Sequence, residues 1–206
     1  MKRSDHEALR LIFLDIDGVL NSYQYYEKLG EDHMLTEPID LQAVARLKEI
    51  VEATGAKLVL TSSWRGGWDL DPARRSEEGQ LLDEKLSLCG LSLYDKTGRC
   101  EIWTPSTRSL EIREWLRACP RPIAGFVILD DGDFAWDQNG LAGHWIRTDS
   151  EYGLVADQIP RAIAILQRKP RGLFWHNLSR RIRMLLFTDI AKETDFPRGR
   201  GRAPTF

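Results

Sequence analysis

What the chain lacks narrows its possibilities first. It has only three cysteines, Cys89, Cys100 and Cys119, an odd number at spacings that match no metal-binding pattern. A reducing compartment is the natural setting for such a sequence. No hydrophobic run approaches the roughly 20 residues that a membrane-spanning helix requires. Met1-Lys2-Arg3 leads into a mixed polar segment, and the first apolar run is too short for a secretory signal. The expectation is a soluble, cytoplasmic protein without internal repeats. Excess charge of one sign is missing too, since the formal net charge is −2. That small number hides a division. Gln167 to Phe206 carries ten Lys/Arg against three Asp/Glu, while the remainder carries nineteen against twenty-eight. An acidic body over residues 1–169 and a basic appendage over 170–206 are expected. At 42% hydrophobic residues, the body has enough apolar material for a real core.

The rest of the chain is organised around Arg-Leu-Ile-Phe-Leu-Asp-Ile-Asp-Gly-Val-Leu-Asn, residues 10–21. Leu11 to Leu14 are apolar without interruption, as a strand buried on both faces of a parallel sheet must be. Asp15 and Asp17 stand where that strand ends, and Gly18 lets the chain leave it sharply. Ligands of open α/β sheets bind beyond the carboxyl ends of the strands, so these acids face a candidate site. Two carboxylates so close repel unless a cation or shared proton relieves them. Magnesium is the usual ion where oxygen ligands and phosphate meet.

Further along, Ser22 to Pro38 shows no clear periodicity and reads as a loop or small flap whose tyrosines pack on the body. Asp40 caps a helix with Leu41, Val44, Leu47 and Val51 at helical spacing, ended by Gly55. Lys57 to Leu60 is a second strand, finishing in Thr61-Ser62-Ser63-Trp64-Arg65. Strand, helix and strand make a right-handed crossover unit, which places Thr61 and Ser62 near Asp15. Gly66 to Glu78 reads as polar and irregular, and Leu81, Leu82, Leu86 and Cys89 mark a helix before Gly90. Leu91 to Tyr94 is a short third strand. Ser106 or Thr107 caps a helix with Ile112, Trp115, Leu116 and Cys119 on one face. Phe126 to Leu129 is a second fully apolar strand and also ends in acids, Asp130, Asp131 and Asp133. Gly143 to Thr148 is a weaker strand, and Val155, Ile159, Ile163 and Leu166 define a last helix, with Pro160 in its first turn. The fold class is therefore α/β, a Rossmann-like parallel sheet flanked by helices.

Phe13-Leu-Asp-Ile-Asp-Gly-Val-Leu-Asn21 resembles the first motif of the haloacid dehalogenase (HAD) superfamily of phosphohydrolases. Thr61 after a strand, Arg108 at a helix start and Asp130-Asp131 after a strand follow in that superfamily's order, across roughly residues 10–166. The Thr-Ser-Ser-Trp-Arg and Ile-Leu-Asp-Asp-Gly-Asp-Phe segments are further similar to the HAD domain of bacterial Swiss-army-knife RNA-repair proteins. The resemblance implies a HAD-like fold and a Mg²⁺-dependent phosphatase acting through an aspartyl-phosphate, on phosphomonoesters such as nucleic-acid ends or nucleotides. It implies Asp15 as nucleophile and Asp17 as general acid and base. Asp15, the carbonyl of Asp17, and Asp130 would hold the metal, with Asp131 and Asp133 competing for the place of Asp130. Thr61 would bind a phosphoryl oxygen, with Ser62 its alternate, and Arg108 would stabilise transition-state charge. Arg99 and Arg113 are alternatives to Arg108, where the family more often has lysine. Asp17 argues for phosphate hydrolysis over halide displacement, which needs no such acid.

Arg65 is a candidate to pair with substrate, and Trp64 reads as a core tryptophan beside the site. His33 and His144 read as structural. Only Val19 to Pro38 and Tyr94 to Pro105 stand where the superfamily inserts cap domains, and neither is long enough to be one. An uncapped site is open to bulky substrates, unless Gly66 to Gln80 folds over it. In the appendage, Leu173 to Phe187 sets Leu178, Ile182, Leu185 and Leu186 against Arg180, Arg181 and Arg183. Such a helix either packs on the body or contacts nucleic acid or an anionic membrane surface. The Gly/Arg-rich end is expected to be disordered. The chief rival reading is a non-catalytic HAD-like binding module whose tail contacts nucleic acid, a membrane surface or a protein partner. A receiver domain ranks last, because its phospho-acceptor would follow a middle strand and no Asp precedes Asp95 there.

Overall fold

The computed structural model describes residues 8–30, 37–100 and 104–168. The two uninterrupted apolar runs form adjacent strands at the centre of a sheet: β1, Leu9–Leu14, and β4, Ile123–Asp130. β2 (Lys57–Leu60) pairs with the other side of β1. β3 (Leu93–Lys96) and β5 (Trp145–Arg147) form the two edges. The order is β3-β2-β1-β4-β5, with every pairing parallel. The expected α/β Rossmann-like architecture is present, and the described residues contain no large cap.

Alternation along β1 explains how one strand supports two cores. Ile12 and Leu14 face a layer containing Val44 and Leu47, together with Ile159, Ala162 and Leu166. These come from α2 (Leu41–Thr54) and α5 (Gln158–Gln167). Leu11 and Phe13 face the opposite layer, with Ile112 and Trp115 of α4 (Thr107–Ala118) and Trp136. Phe13 meets Trp115 and Phe126 edge-on, with ring centroids 5.5 and 5.9 Å apart.

The structure corrects several local expectations. Ser22 to Pro38 is not simply loop, because α1 spans Tyr23–Leu29 and is capped by the Ser22 side chain, which accepts from Tyr25 N. Tyr25 and Tyr26 do tie this segment down, donating to the carbonyls of Glu37, Ile39 and Pro38. Along α2 the buried residues are Ala43, Val44, Leu47 and Ile50, while Leu41 is exposed and Val51 only half-buried. Its caps match expectation, with the Asp40 side chain accepting from Gln42 N and Gly55 left-handed at φ 67°. The third strand begins two residues later than expected, at Leu93.

Gly66 to Gln80 runs from the end of the 3-10 turn Ser63–Gly66 through a second, Pro72–Arg74, to the start of α3, Glu77–Leu88. It is pinned by Trp68, whose indole donates to Asp83 (2.9 Å) beneath the Arg75 guanidinium. None of those anchors is a residue of the acid cluster described below. Among the described residues no helix is long and apolar enough to cross a membrane. His33, the helix read into Leu173 to Phe187, the terminal Gly/Arg stretch and the boundary at 169/170 lie outside the described residues.

Phe13 fills the core beneath the site and is wholly buried. Phe13→Ala is expected to destabilise the protein by about 3–5 kcal/mol, measured as a shift in the urea midpoint with unchanged slope.

Candidate active site

Three parallel strands deliver the site by carrying their ladders one residue past the sheet. Asp15 N donates to Leu129 O (3.0 Å), Thr61 N to Leu14 O (2.9 Å) and Thr148 N to Asp130 O (3.2 Å). Asp15 therefore sits between Thr61 on one side and Asp130 on the other. Carboxylate oxygens of Asp15, Asp130 and Asp131 all lie within 4.8 Å of one another. Gly18, at φ 70°, turns the chain over this cluster so closely that an added Cβ would lie 2.6 Å from Asp131 Cγ.

Burying two carboxylates together is costly without a partner. Arg108, the second residue of α4, supplies one: its Nη1 donates to Asp15 Oδ2 and, at 2.6 Å, to Asp130 Oδ2. The Phe134 ring lies 4.4 Å from the guanidinium carbon. Burial raises the Asp15 pKa, and the charge and hydrogen bond of Arg108 pull against that rise. Asp130 is raised to about 7 by burial and by the neighbouring Asp15 charge, again opposed by Arg108. Burial would lower the Arg108 pKa, yet the two carboxylates raise it, so the guanidinium stays charged. Neither alternative to Arg108 bridges the acids. Arg113 donates to Asn139 O, and Arg99 is exposed near Gly66.

The donor set fits a small hard cation. All three groups offer oxygen, and three carboxylates against one guanidinium leave two negative charges for a divalent ion to balance. Asp133 is outside the trio and instead accepts from Ala135 N in a local turn. The carboxylate of Asp17 is also outside it. That side chain is exposed, and it accepts from Asn21 Nδ2 (2.9 Å) and from the Trp64 indole.

Thr61 and Ser62 are fully buried, and Thr61 Oγ1 has no hydrogen-bond partner among the described residues. Ser62 helps pull the Asp15 pKa down and caps the turn Ser63–Gly66 by accepting from Trp64 N. Arg65 is placed differently from the substrate-pairing expectation. Its Nη2 grips both oxygens of Glu111 (2.9 and 2.7 Å), and Nη1 donates to the carbonyls of Thr61 and Ser62. With those bonds made, Arg65 acts as a brace under the Thr61-Ser62 backbone. His144 stacks on Phe126 at 3.9 Å, consistent with a structural part.

Sequence reasoning missed three contributors. Glu111 looked like one more helix acid, although its position three residues after Arg108 puts both on nearby faces of α4. Phe134 entered only as the last residue of the Ile-Leu-Asp-Asp-Gly-Asp-Phe segment, with no task of its own. Asn21 was quoted only as the end of the motif, yet its Oδ1 accepts from Gly18 N (2.9 Å) and closes the loop that carries both acids.

A parallel sheet with two acids after its central strand, a third and fourth after the next, and a basic residue opening the intervening helix defines a HAD-type domain. The family model described as the HAD domain in Swiss Army Knife RNA repair proteins matches residues 11–159, and the chain belongs to that family. No curated protein and no solved structure matches the chain.

The raised Asp130 sets a pH dependence whose sign is fixed. The folded carboxyl, at about 7, binds its proton more tightly than the unfolded one at 3.8, so its contribution is greatest at low pH. That contribution falls as pH rises through the window between those values. In metal-free protein, wild type is expected to lose Tm relative to Asp130→Asn from about pH 4 to just above 7. Thermal melts of the two proteins across that range check it; a constant difference would refute it.

Proposed function

We propose that the protein is a Mg²⁺-dependent phosphatase that hydrolyses phosphomonoesters through an aspartyl-phosphate on Asp15. The observation that carries this reading is the convergence of Asp15, Asp130 and Arg108 beside the unpartnered hydroxyl of Thr61. Ile16 N orients the nucleophile by donating to Asp15 Oδ1 (2.9 Å). In the first step an Asp15 oxygen bonds to phosphorus and the bond to the leaving oxygen breaks, while Asp17 gives that oxygen its proton. In the second, water attacks the same phosphorus, Asp17 takes the water's proton, and the Asp15–phosphate bond breaks to release inorganic phosphate. Thr61 Oγ1 donates to a phosphoryl oxygen, and Arg108 offsets the charge that develops on the others. Asp15, Asp130, Asp131 and the carbonyl of Asp17 would hold the metal ion, which would supply the charge neutralisation a phosphate dianion needs to approach an acidic site.

For the substrate class, nucleic-acid ends or nucleotides are the favoured reading. Its support is the family's description in RNA repair proteins, the lack of a large cap among the described residues, and the basic composition of the last forty residues. A cytoplasmic location agrees with cysteine usage. A panel of 5′- and 3′-phosphorylated oligonucleotides, mononucleotides and phosphorylated metabolites, each with and without Mg²⁺, separates these classes.

Asp15→Asn is expected to lower hydrolysis of p-nitrophenyl phosphate on the order of 10³-fold or more while near-UV circular dichroism stays native. Undiminished turnover in that variant removes the mechanism. If no phosphoester is turned over by the wild type with Mg²⁺ present, yet RNA binds in a salt-sensitive way, the binding-module reading replaces it.

A further inference from the structure

We propose that Trp64 is a positioning residue for proton transfer, holding the Asp17 carboxyl through its indole N–H, with Asn21 as the second arm of the clamp. The inference rests on the phosphatase reading above and deepens it. Asp17 is exposed, so without ties its carboxyl would sample several rotamers. Trp64 Nε1 lies 3.3 Å from Asp17 Oδ1 and 3.2 Å from Oδ2, and Asn21 Nδ2 lies 2.9 Å from Oδ1. The indole N–H has no acceptor function, so its direction of donation is unambiguous. The Asn21 amide is equally fixed: its oxygen accepts from Gly18 N, which leaves its NH₂ for Asp17 and for Pro38 O (3.3 Å).

Both arms are themselves rigid. Trp64 is 8% exposed, its ring packs in the core layer that contains Leu60 and Trp68, and its backbone N–H is capped by Ser62. The next residue is locked to Glu111 by two hydrogen bonds. A tryptophan kept only for packing needs some partner for its N–H. Here the partner is the carboxyl that the mechanism requires to move a proton. The two oxygens are not equivalent: Oδ1 carries the short Asn21 bond, whereas among the described residues Oδ2 is touched only by the longer, shared indole contact. The geometry thus assigns Oδ2 as the atom that gives its proton to the leaving oxygen and later takes one from water.

A leaving-group comparison isolates this role. The ratio kcat/KM reports events up to the first phosphoryl transfer, when an alkoxide needs a proton and a nitrophenolate does not. Trp64→Phe keeps most of the ring and deletes the N–H. It is expected to lower kcat/KM for n-butyl phosphate at least about tenfold more than for p-nitrophenyl phosphate. In an Asp17→Asn background the same change should produce no such selectivity, because the group that Trp64 acts through is gone. Equal losses on both substrates, or selectivity that persists without Asp17, would overturn the proposal. If Trp64→Phe fails to fold, benzothienylalanine at position 64 retains the ring's shape without the N–H and reads the same ratio. Wild-type protein that hydrolyses neither ester with Mg²⁺ removes the phosphatase reading and this one with it. Hydrolysis with unselective losses removes this one alone.

Discussion

Two carboxylates from neighbouring strands lie side by side beneath the surface, and one guanidinium spans them. Asp15 and Asp130 are brought together by the parallel pairing of β1 and β4, which leaves no freedom to separate them. Arg108 reaches both from α4, and Phe134 covers its flat face. Removing the arginine alone would strand two buried acids, a situation that typically costs about 3–5 kcal/mol. The sheet, the crossover helix and the loop after β4 are therefore all constrained by the same contact. Charge that is awkward for stability is also what a divalent cation beside these acids would offset.

The five residues after β2 form a second organising unit. Thr61 stands beside Asp15 with a buried hydroxyl that has no partner among the described residues, Ser62 helps lower the Asp15 pKa, Trp64 reaches Asp17, and Arg65 binds Glu111 on α4. One short turn thus touches Asp15, Asp17 and the helix that holds Arg108. Arg65 is half-buried with its positive charge answered by Glu111, and its bonds fix this turn.

The fold was largely readable because its central strands are buried on both faces and carry no competing pattern. Leu11 to Leu14 and Phe126 to Leu129 are short apolar runs, each closed by acids and a glycine, the pattern of a buried parallel strand. Asp40 and Gly55 likewise bracket α2 through local chemistry alone. Where burial depends on partners, the sequence was less informative. Leu41 fits the helical spacing, yet the face that meets α5 lies a little further round, so Ala43 and Ile50 are covered instead. The seven-residue α1 is too short to show a period and is held by tyrosine hydroxyls on the carbonyls of Glu37, Pro38 and Ile39. At the site, acids, hydroxyl and arginine were legible because they follow strands in a recognisable order. The tasks of Trp64, Arg65 and Glu111 were not, since a side chain's partner across the sheet leaves no mark in local sequence.

Gly18 lies where the loop from β1 passes Asp131, with less room than a methyl group needs. The third acid of the cluster is thus kept in place by an omitted atom and not by a bond. A single added carbon there would evict a carboxylate from the trio while leaving every charged residue in the chain intact. The spacing of the acids and their formal charge, usually inseparable in an acidic pocket, are independently adjustable in this protein.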